Sequence, residues 1–244
     1  MTLLSVNVNK IATLRNSRGG NNPDVLKTAL DIIRFGAHGI TVHPRPDGRH
    51  IRTDDVIALK KNIDVELNIE GYPSTDFIQL VEQTRPAQCT LVPDPPEVLT
   101  SNAGWKIKEH QEFLQDVVGE LKSFGCRVSL FFDPYDHKSD ELLIAKNFIG
   151  ADRIELYTEM YAKAFATAQQ SEVLSIYVKA AQVANRLGLG VNAGHDLDLN
   201  NLATLIKAMP FINEVSIGHA LICDALYLGM QETVGRYLRA LQPN

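Results

Sequence analysis

A (β/α)8 barrel, the α/β architecture also called a TIM barrel, is the fold class this 244-residue sequence predicts, and three observations carry that prediction. Eight short apolar runs recur, each ending on a polar or chargeable residue before a loop. Helical periodicity fills the spaces between them. A glycine repeatedly separates a helical stripe from the next run. Strands of a parallel sheet covered by helices read as continuous Val, Ile and Leu, and this length suits one α/β barrel. Residues 1–244 are therefore expected to form one domain, with extra short helices in the longer loops.

Taken in order, the first run is Leu3–Asn7. A stripe of Val25, Leu26, Ala29, Leu30 and Ile33 follows Pro23, a residue favoured in a first helical turn. Next come the runs Ile40–His43, Val65–Glu70 and Gln88–Val92. The connection Pro93–Lys108 is unusually long and carries Pro95, Pro96, Thr100, Asn102, Gly104 and Trp105, as a lid over a barrel mouth would. Runs five and six are Arg127–Phe132 and Arg153–Leu156, and the Ala-rich Thr158–Gln170 after them has room for a short extra helix. Val173, Ile176, Tyr177, Ala180, Val183, Ala184 and Leu187 form one buried helix face before the run Leu189–Asn192. Leu202, Leu205, Ile206 and Met209 form another, stopped by Pro210, before Glu214–Ile217. Gly36, Gly125, Gly150 and Gly188 fall where a left-handed helix cap is wanted. No GxGxxG follows the first run, which argues against a dinucleotide-binding sheet.

Composition narrows the function classes. The chain is 45% apolar and 22% charged, the balance of a soluble globular protein with a large core. A net charge of −5 leaves no basic footprint, so no nucleic-acid partner is expected. No apolar run approaches the roughly 20 residues that span a bilayer, so no membrane partner is expected either. The start, Met-Thr-Leu-Leu-Ser-Val-Asn, lacks a basic leader. Cys89, Cys126 and Cys223 are odd in number and far apart, and read as small buried residues of a cytoplasmic protein.

Polar residues at the C-terminal strand ends of a barrel converge on one mouth. The second run ends at His43, and Arg45, Arg49, His50 and Arg52 follow within ten residues. Arginine forks bind phosphate or carboxylate, and histidine titrates near neutral pH. Glu70 ends the third run, where partial desolvation suits a general base. Gly194-His195-Asp196 and Gly218-His219 follow runs seven and eight, the places where this fold most often holds phosphate. The first run brings Asn7, Asn9 and Lys10, with Arg15 and Arg18 before Gly19-Gly20. Arg15 reads as the partner of a surface acid, Arg18 as an anion contact. Glu155 is a candidate orienting carboxylate, and Asp133, before Pro134, a turn cap. His38, His110 and His137 read as surface residues.

The segments Asn-Val-Asn-Lys-Ile-Ala-Thr-Leu-Arg-Asn-Ser-Arg-Gly-Gly (7–20), Gly-Ile-Thr-Val-His-Pro-Arg (39–45), Arg-His-Ile (49–51), Leu-Asn-Ile-Glu (67–70), Val-Asn-Ala-Gly-His (191–195) and Ser-Ile-Gly-His-Ala (216–220) resemble, in order and almost end to end, the pyridoxine 5′-phosphate synthase family. The resemblance implies a barrel with extra helices, assembled from dimers into a homo-octamer. It implies condensation of 1-deoxy-D-xylulose 5-phosphate with 3-amino-2-oxopropyl phosphate to pyridoxine 5′-phosphate, with release of phosphate and water. Small phosphorylated substrates are the implied partners, and neither metal nor organic cofactor is implied. By position, His43 and Glu70 match the family's proton acceptors, His195 its proton donor, and Glu155 a group stabilising a transition state. Arg45, His50 and Thr100 match contacts to the sugar phosphate; Asn7, Arg18, Gly218 and His219 match contacts to the aminoketone phosphate. Two positions depart. Asn9-Lys10 stands where many members have Asp-His, with both residues still expected to hold substrate. Asp196 stands where glycine is frequent, and is expected to bind through its backbone N–H.

Three other readings compete. A metal-dependent barrel hydrolase would use His43, His195 and a carboxylate, but no His-x-His stands on the first run and Arg45 would oppose the metal. A barrel that binds a phosphorylated metabolite without catalysis would leave three acid–base candidates without a purpose. A lysine Schiff-base aldolase would have only Lys10 near a strand end.

Overall fold

The computed structural model describes residues 1–93, 103–134 and 139–242, and in them eight parallel strands close into a barrel. The strands are β1 (Leu3–Asn7), β2 (Gly39–Val42), β3 (Glu66–Gly71), β4 (Gln88–Leu91), β5 (Arg127–Phe132), β6 (Arg153–Tyr157), β7 (Gly190–Gly194) and β8 (Glu214–Ile217). Outside them lie α1 (Asn9–Asn16), α2 (Val25–Arg34), α3 (Thr53–Asn62), α4 (Thr75–Thr84), α5 (Gln111–Ser123) and α6 (Ser139–Ile144). These are followed by α7 (Glu159–Ala164), α8 (Gln170–Arg186), α9 (Leu202–Ala208), α10 (His219–Leu228) and α11 (Met230–Ala240). A π-helical turn, Ala145–Ile149, extends α6. The predicted barrel is thus observed, and β8 closes on β1 with Ser216 opposite Ser5. The extra helix expected in 158–170 is α7. Much of the connection 93–108, Thr100 included, and His137 lie outside the described residues.

The four glycines expected as left-handed caps all have positive φ, from +74° at Gly188 to +110° at Gly36. Helix α2 starts differently from expectation. Asp24 caps it by accepting from the Lys27 N–H at 2.8 Å, so Pro23 precedes the cap instead of occupying the first turn.

One expectation about the strands needs correcting: they are not apolar on both faces. Leu4, Val6, Ile40, Val42, Leu67, Ile69, Cys89 and Leu91 are buried and apolar, but they alternate with buried Ser5, Thr41, Asn68, Glu70, Gln88 and Thr90. The polar set shares hydrogen bonds that leap over neighbouring strands. Thr90 on β4 donates to Glu155 on β6 at 3.4 Å, and Gln88 on β4 to Glu214 on β8 at 3.2 Å. Bonds between non-adjacent strands can run only through the interior, so the polar residues face the barrel axis and the apolar ones face the helices. Near the N-terminal end Arg127 donates to Gln88 at 2.8 Å and to Glu66, while Arg153 donates to Asn192 at 3.0 Å. Most members of this interior satisfy one another, while Ser129 Oγ, Glu155 Oε1 and Asn192 Nδ2 have no hydrogen-bond partner within the chain.

His38 is half-buried, its Nδ1 accepting from the Leu4 N–H at 3.1 Å, so it ties the turn between α2 and β2 to β1 instead of standing free on the surface. His110 is exposed against the Trp105 ring, centroids 5.5 Å apart. Cys89 and Cys126 are buried thiols and Cys223 is half-buried. Among the described residues no helix is long and apolar enough to cross a membrane.

Candidate active site

A cavity of about 550 Å³ opens at the C-terminal ends of the strands. It brings together Asn7, Asn9, Lys10, His43, Arg45, His50, Glu70, His195, Asp196, Gly218 and His219, which the sequence had placed at one mouth. Glu155 lies just below, fully buried. Arg18 is not brought in. It stands two residues beyond the end of α1 with its side chain in solvent, away from the cavity lining. Arg15 pairs with an acid as expected, Asp55 at 2.9 Å, but the pair is largely buried instead of on the surface, and Arg15 also donates to the His50 carbonyl at 3.3 Å.

The first three strand ends form one hydrogen-bonded unit. The Asn9 N–H donates to Asn7 Oδ1 at 3.0 Å, and Asn9 Oδ1 accepts the His43 N–H at 2.9 Å. Asn7 Nδ2 donates to Glu70 Oε2 at 3.4 Å, and His43 Nδ1 stands 3.9 Å from the same oxygen. Burial, with the Glu214 charge adding to it, pushes the Glu70 carboxyl up to about 8. Burial first, then the nearby Arg45, holds His43 well below the ordinary imidazole range. Both partners are driven toward neutrality, so this is a neutral acid–imidazole contact near pH 7 and not an ion pair.

Beside it stands a wall of the cations Lys10, Arg45 and Arg49 together with the His50 imidazole. His50 Nδ1 accepts the Ile51 N–H at 3.0 Å, which leaves the proton on Nε2. Burial and the Arg45 and Lys10 charges depress His50 to about 4. Arg49 is paired with Asp47.

Across the cavity, His195 has φ of +83°, a conformation a non-glycine residue holds only where its surroundings impose it. Its Nδ1 lies 3.8 Å from Glu155 Oε1, and neither atom has a hydrogen bond within the chain. The Phe131 ring meets the imidazole edge-on with centroids 4.8 Å apart. Burial lowers His195 to about 4, and burial plus the Glu70 charge raises Glu155 well above the carboxylate range. Gly194 makes room for this pair, because a Cβ there would stand 2.5 Å from Glu155 Oε1. Gly218 is also tightly placed, though less so, with a Cβ reaching 3.0 Å from that of Asn7, and it opens α10 so that the helix N-terminus faces the cavity. Asp196 corrects an expectation. Its backbone N–H already donates to Thr158 Oγ1 at 3.3 Å, so a phosphate contact through that group is taken, and its side chain stands exposed at the rim.

Sequence reasoning missed Thr13, Tyr157, Glu159 and Ser216 as lining residues, whereas Arg49, read from the cluster after the second run, is among them. Tyr157 and Ser216 follow Glu155 and Glu214 by two residues on their strands, so the period-2 alternation was a usable signal. Glu159 and Thr13 come from helices and carry no comparable mark.

Residues 4–243 match the family model for the pyridoxal phosphate biosynthesis protein PdxJ. The chain belongs to this family. Among its relatives, the pyridoxine 5′-phosphate synthase of Cytophaga hutchinsonii is 56% identical over 99% of this chain and 100% of its own length. That of Porphyromonas gingivalis is 56% identical over 97% and 98%. Solved structures share the fold alone. The phosphoribosyl anthranilate isomerase of Thermotoga maritima has a TM-score of 0.63 at 12% identity, covering 99% of this chain and 98% of its own. A mutant tryptophan synthase α-subunit from Pyrococcus furiosus has 0.63 at 11%, covering 98% and 96%. A PdxJ-family chain is an enzyme of pyridoxine biosynthesis, as the motifs had implied.

Proposed function

We propose that this enzyme condenses 1-deoxy-D-xylulose 5-phosphate with 3-amino-2-oxopropyl phosphate to give pyridoxine 5′-phosphate, inorganic phosphate and water. The observation that carries this reading is the pairing, in one cavity, of two carboxyl–imidazole contacts of similar spacing, His43–Glu70 at 3.9 Å and His195–Glu155 at 3.8 Å. Ring closure joins an amine to a ketone, enolises the imine and expels several groups, so protons must leave and arrive at different atoms of one intermediate. Glu70, poised near 8, takes a proton in its ionised form, with the adjacent neutral His43 as its partner. His195 donates to departing oxygens. Glu155, kept protonated by burial, stands behind it to restore the proton at Nδ1 when the ring tilts to close the gap. Lys10, Arg45 and His50 suit the sugar phosphate; the Gly218–His219 end of α10 suits the phosphate of the aminoketone. Asn7 links the two halves. Arg18 would reach this chemistry only from outside the cavity described, and Thr100 is assigned by resemblance alone.

Self-association into a homo-octamer is part of the same proposal. Support comes from α10, whose Leu226 and Tyr227 are 74% and 90% exposed on an apolar helix. One domain over 1–244 and a cytoplasmic location complete the reading, the latter suited to three free thiols. The deciding assay supplies both phosphorylated substrates to purified protein, with and without chelator, and follows pyridoxine 5′-phosphate and phosphate together. Equal formation of both products, indifferent to chelator, is expected. No product from folded protein would favour the non-catalytic binding barrel, and loss of turnover with chelator the metal-dependent one.

A further inference from the structure

Thr158 occupies the N-cap of α7, yet its hydroxyl does not cap that helix. Threonine at such a position ordinarily accepts an N–H of the first turn. Here the fully buried side chain turns to β7 instead. Its hydroxyl donates to the Gly194 carbonyl and accepts the Asp196 N–H at 3.3 Å. One oxygen thus bonds both residues flanking His195, the residue forced to positive φ. The main-chain tie of His195 itself is weak, its N–H reaching the Ser216 carbonyl at 3.4 Å. The register across β6 and β7 puts Tyr157 opposite Gly194, which delivers Thr158 to this place. Tyr177 secures the same end of β6, its hydroxyl donating to the Tyr157 carbonyl at 2.6 Å.

We infer that Thr158 is a positioning residue of the reaction, clamping the Gly194–Asp196 turn so that the His195 ring is held edge-on to Phe131 with its Nδ1 beside Glu155. It touches neither substrate nor reacting atoms. Without the clamp, the turn relaxes toward ordinary φ, and the imidazole swings from Phe131 and Glu155 toward water. A loosening on the scale of 1 Å suffices to cost about a hundredfold in rate.

The test compares Thr158→Val, which keeps the shape and removes both bonds, with Thr158→Ser, which keeps the hydroxyl. Thr158→Ala serves as a second deletion if the valine variant does not fold. Turnover rests on the synthase reading, so the titration of the His195 ring, followed by NMR without substrate, is measured beside it. The valine variant should lose about a hundredfold in kcat, with both KM values within about threefold of wild type. Its His195 titration should move up toward the free imidazole value, and serine should restore both. Wild-type kcat in the valine variant would overturn the inference; so would lost turnover with an unmoved His195 titration, or a serine variant as impaired as valine. A wild-type protein that makes no pyridoxine 5′-phosphate would sink the synthase reading, while the titration would still decide the clamp.

Discussion

Glu70 carries the clearest pH signature in the chain. Its carboxyl sits at about 8 in the fold against an ordinary 4.5, so between those values the folded state holds a proton that the unfolded state has lost. Stability from this group is therefore present below about 4.5 and drains away as pH rises toward about 8. Glu70→Gln removes that loss, and its Tm relative to wild type should climb between about pH 5 and 8; a constant difference would show that Glu70 is not so perturbed. As a base Glu70 works only when ionised, so kcat/KM should rise toward about pH 8, and the glutamine variant should lose this limb with about a hundredfold of the rate. His195 has the opposite sign: depressed to about 4, it contributes stability above 6.5 that is lost as pH falls. His195→Asn should keep the fold, soften that acid loss and abolish ring closure. Unaltered turnover would remove His195 from the mechanism. Lys10→Ala should raise KM for the sugar phosphate about tenfold, less at high salt, with little change for the aminoketone; equal effects on both would reassign the cationic wall.

Among the elements, the β7 end is the least forgiving. A methyl group at Gly194 would stand 2.5 Å from Glu155 Oε1 and 3.1 Å from the Ser216 carbonyl, both fully or almost fully buried. Gly194→Ala must push the carboxylate away from His195 or displace the strand, at about 1–3 kcal/mol. The measurement is a Tm beside a kcat: both should fall, and an active variant of normal Tm would show that Glu155 has room to move. The Gly-His pairs marked this turn in the sequence, but the partner that makes glycine necessary lies on another strand. Thr158 shows the same limit. From sequence it only opens a long Ala-rich connection, and it is the β6–β7 register that turns its hydroxyl toward the residues flanking His195.

At the scale of the whole molecule, the polar barrel axis is what the chain builds its site upon. Glu70 and Glu155 are the upper members of an interior that continues down through Thr90, Asn68 and Gln88 to Glu214. Arg153 lies 3.9 Å from Glu214, both largely buried. Arg153→Met should leave Glu214 without that cation and cost about 3–5 kcal/mol at pH 8, lowering Tm by roughly 10 °C. Adding Glu214→Gln should recover most of it. A single variant as stable as wild type would mean that the axis tolerates an unpaired carboxylate, and that Glu70 and Glu155 owe less to their surroundings.

Strand number, strand order and most of the residues at the mouth were legible in the sequence alone, because burial on parallel strands and glycine at helix ends are local demands that each segment meets by itself; Thr13, Tyr157, Glu159 and Ser216 escaped it, and Arg18 was placed there wrongly. His43, Glu70, His195 and the Gly218–His219 pair were legible for that reason: each ends its own strand. Tertiary structure decided what those residues are chemically. The neutrality of the two carboxyl–imidazole contacts, the strained backbone of His195, the use of Asn9 to hold the His43 main chain, and the position of Arg18 in solvent all depend on groups far apart in the chain. Charge state and orientation are set by the field and packing of the closed barrel, and no single segment contains them.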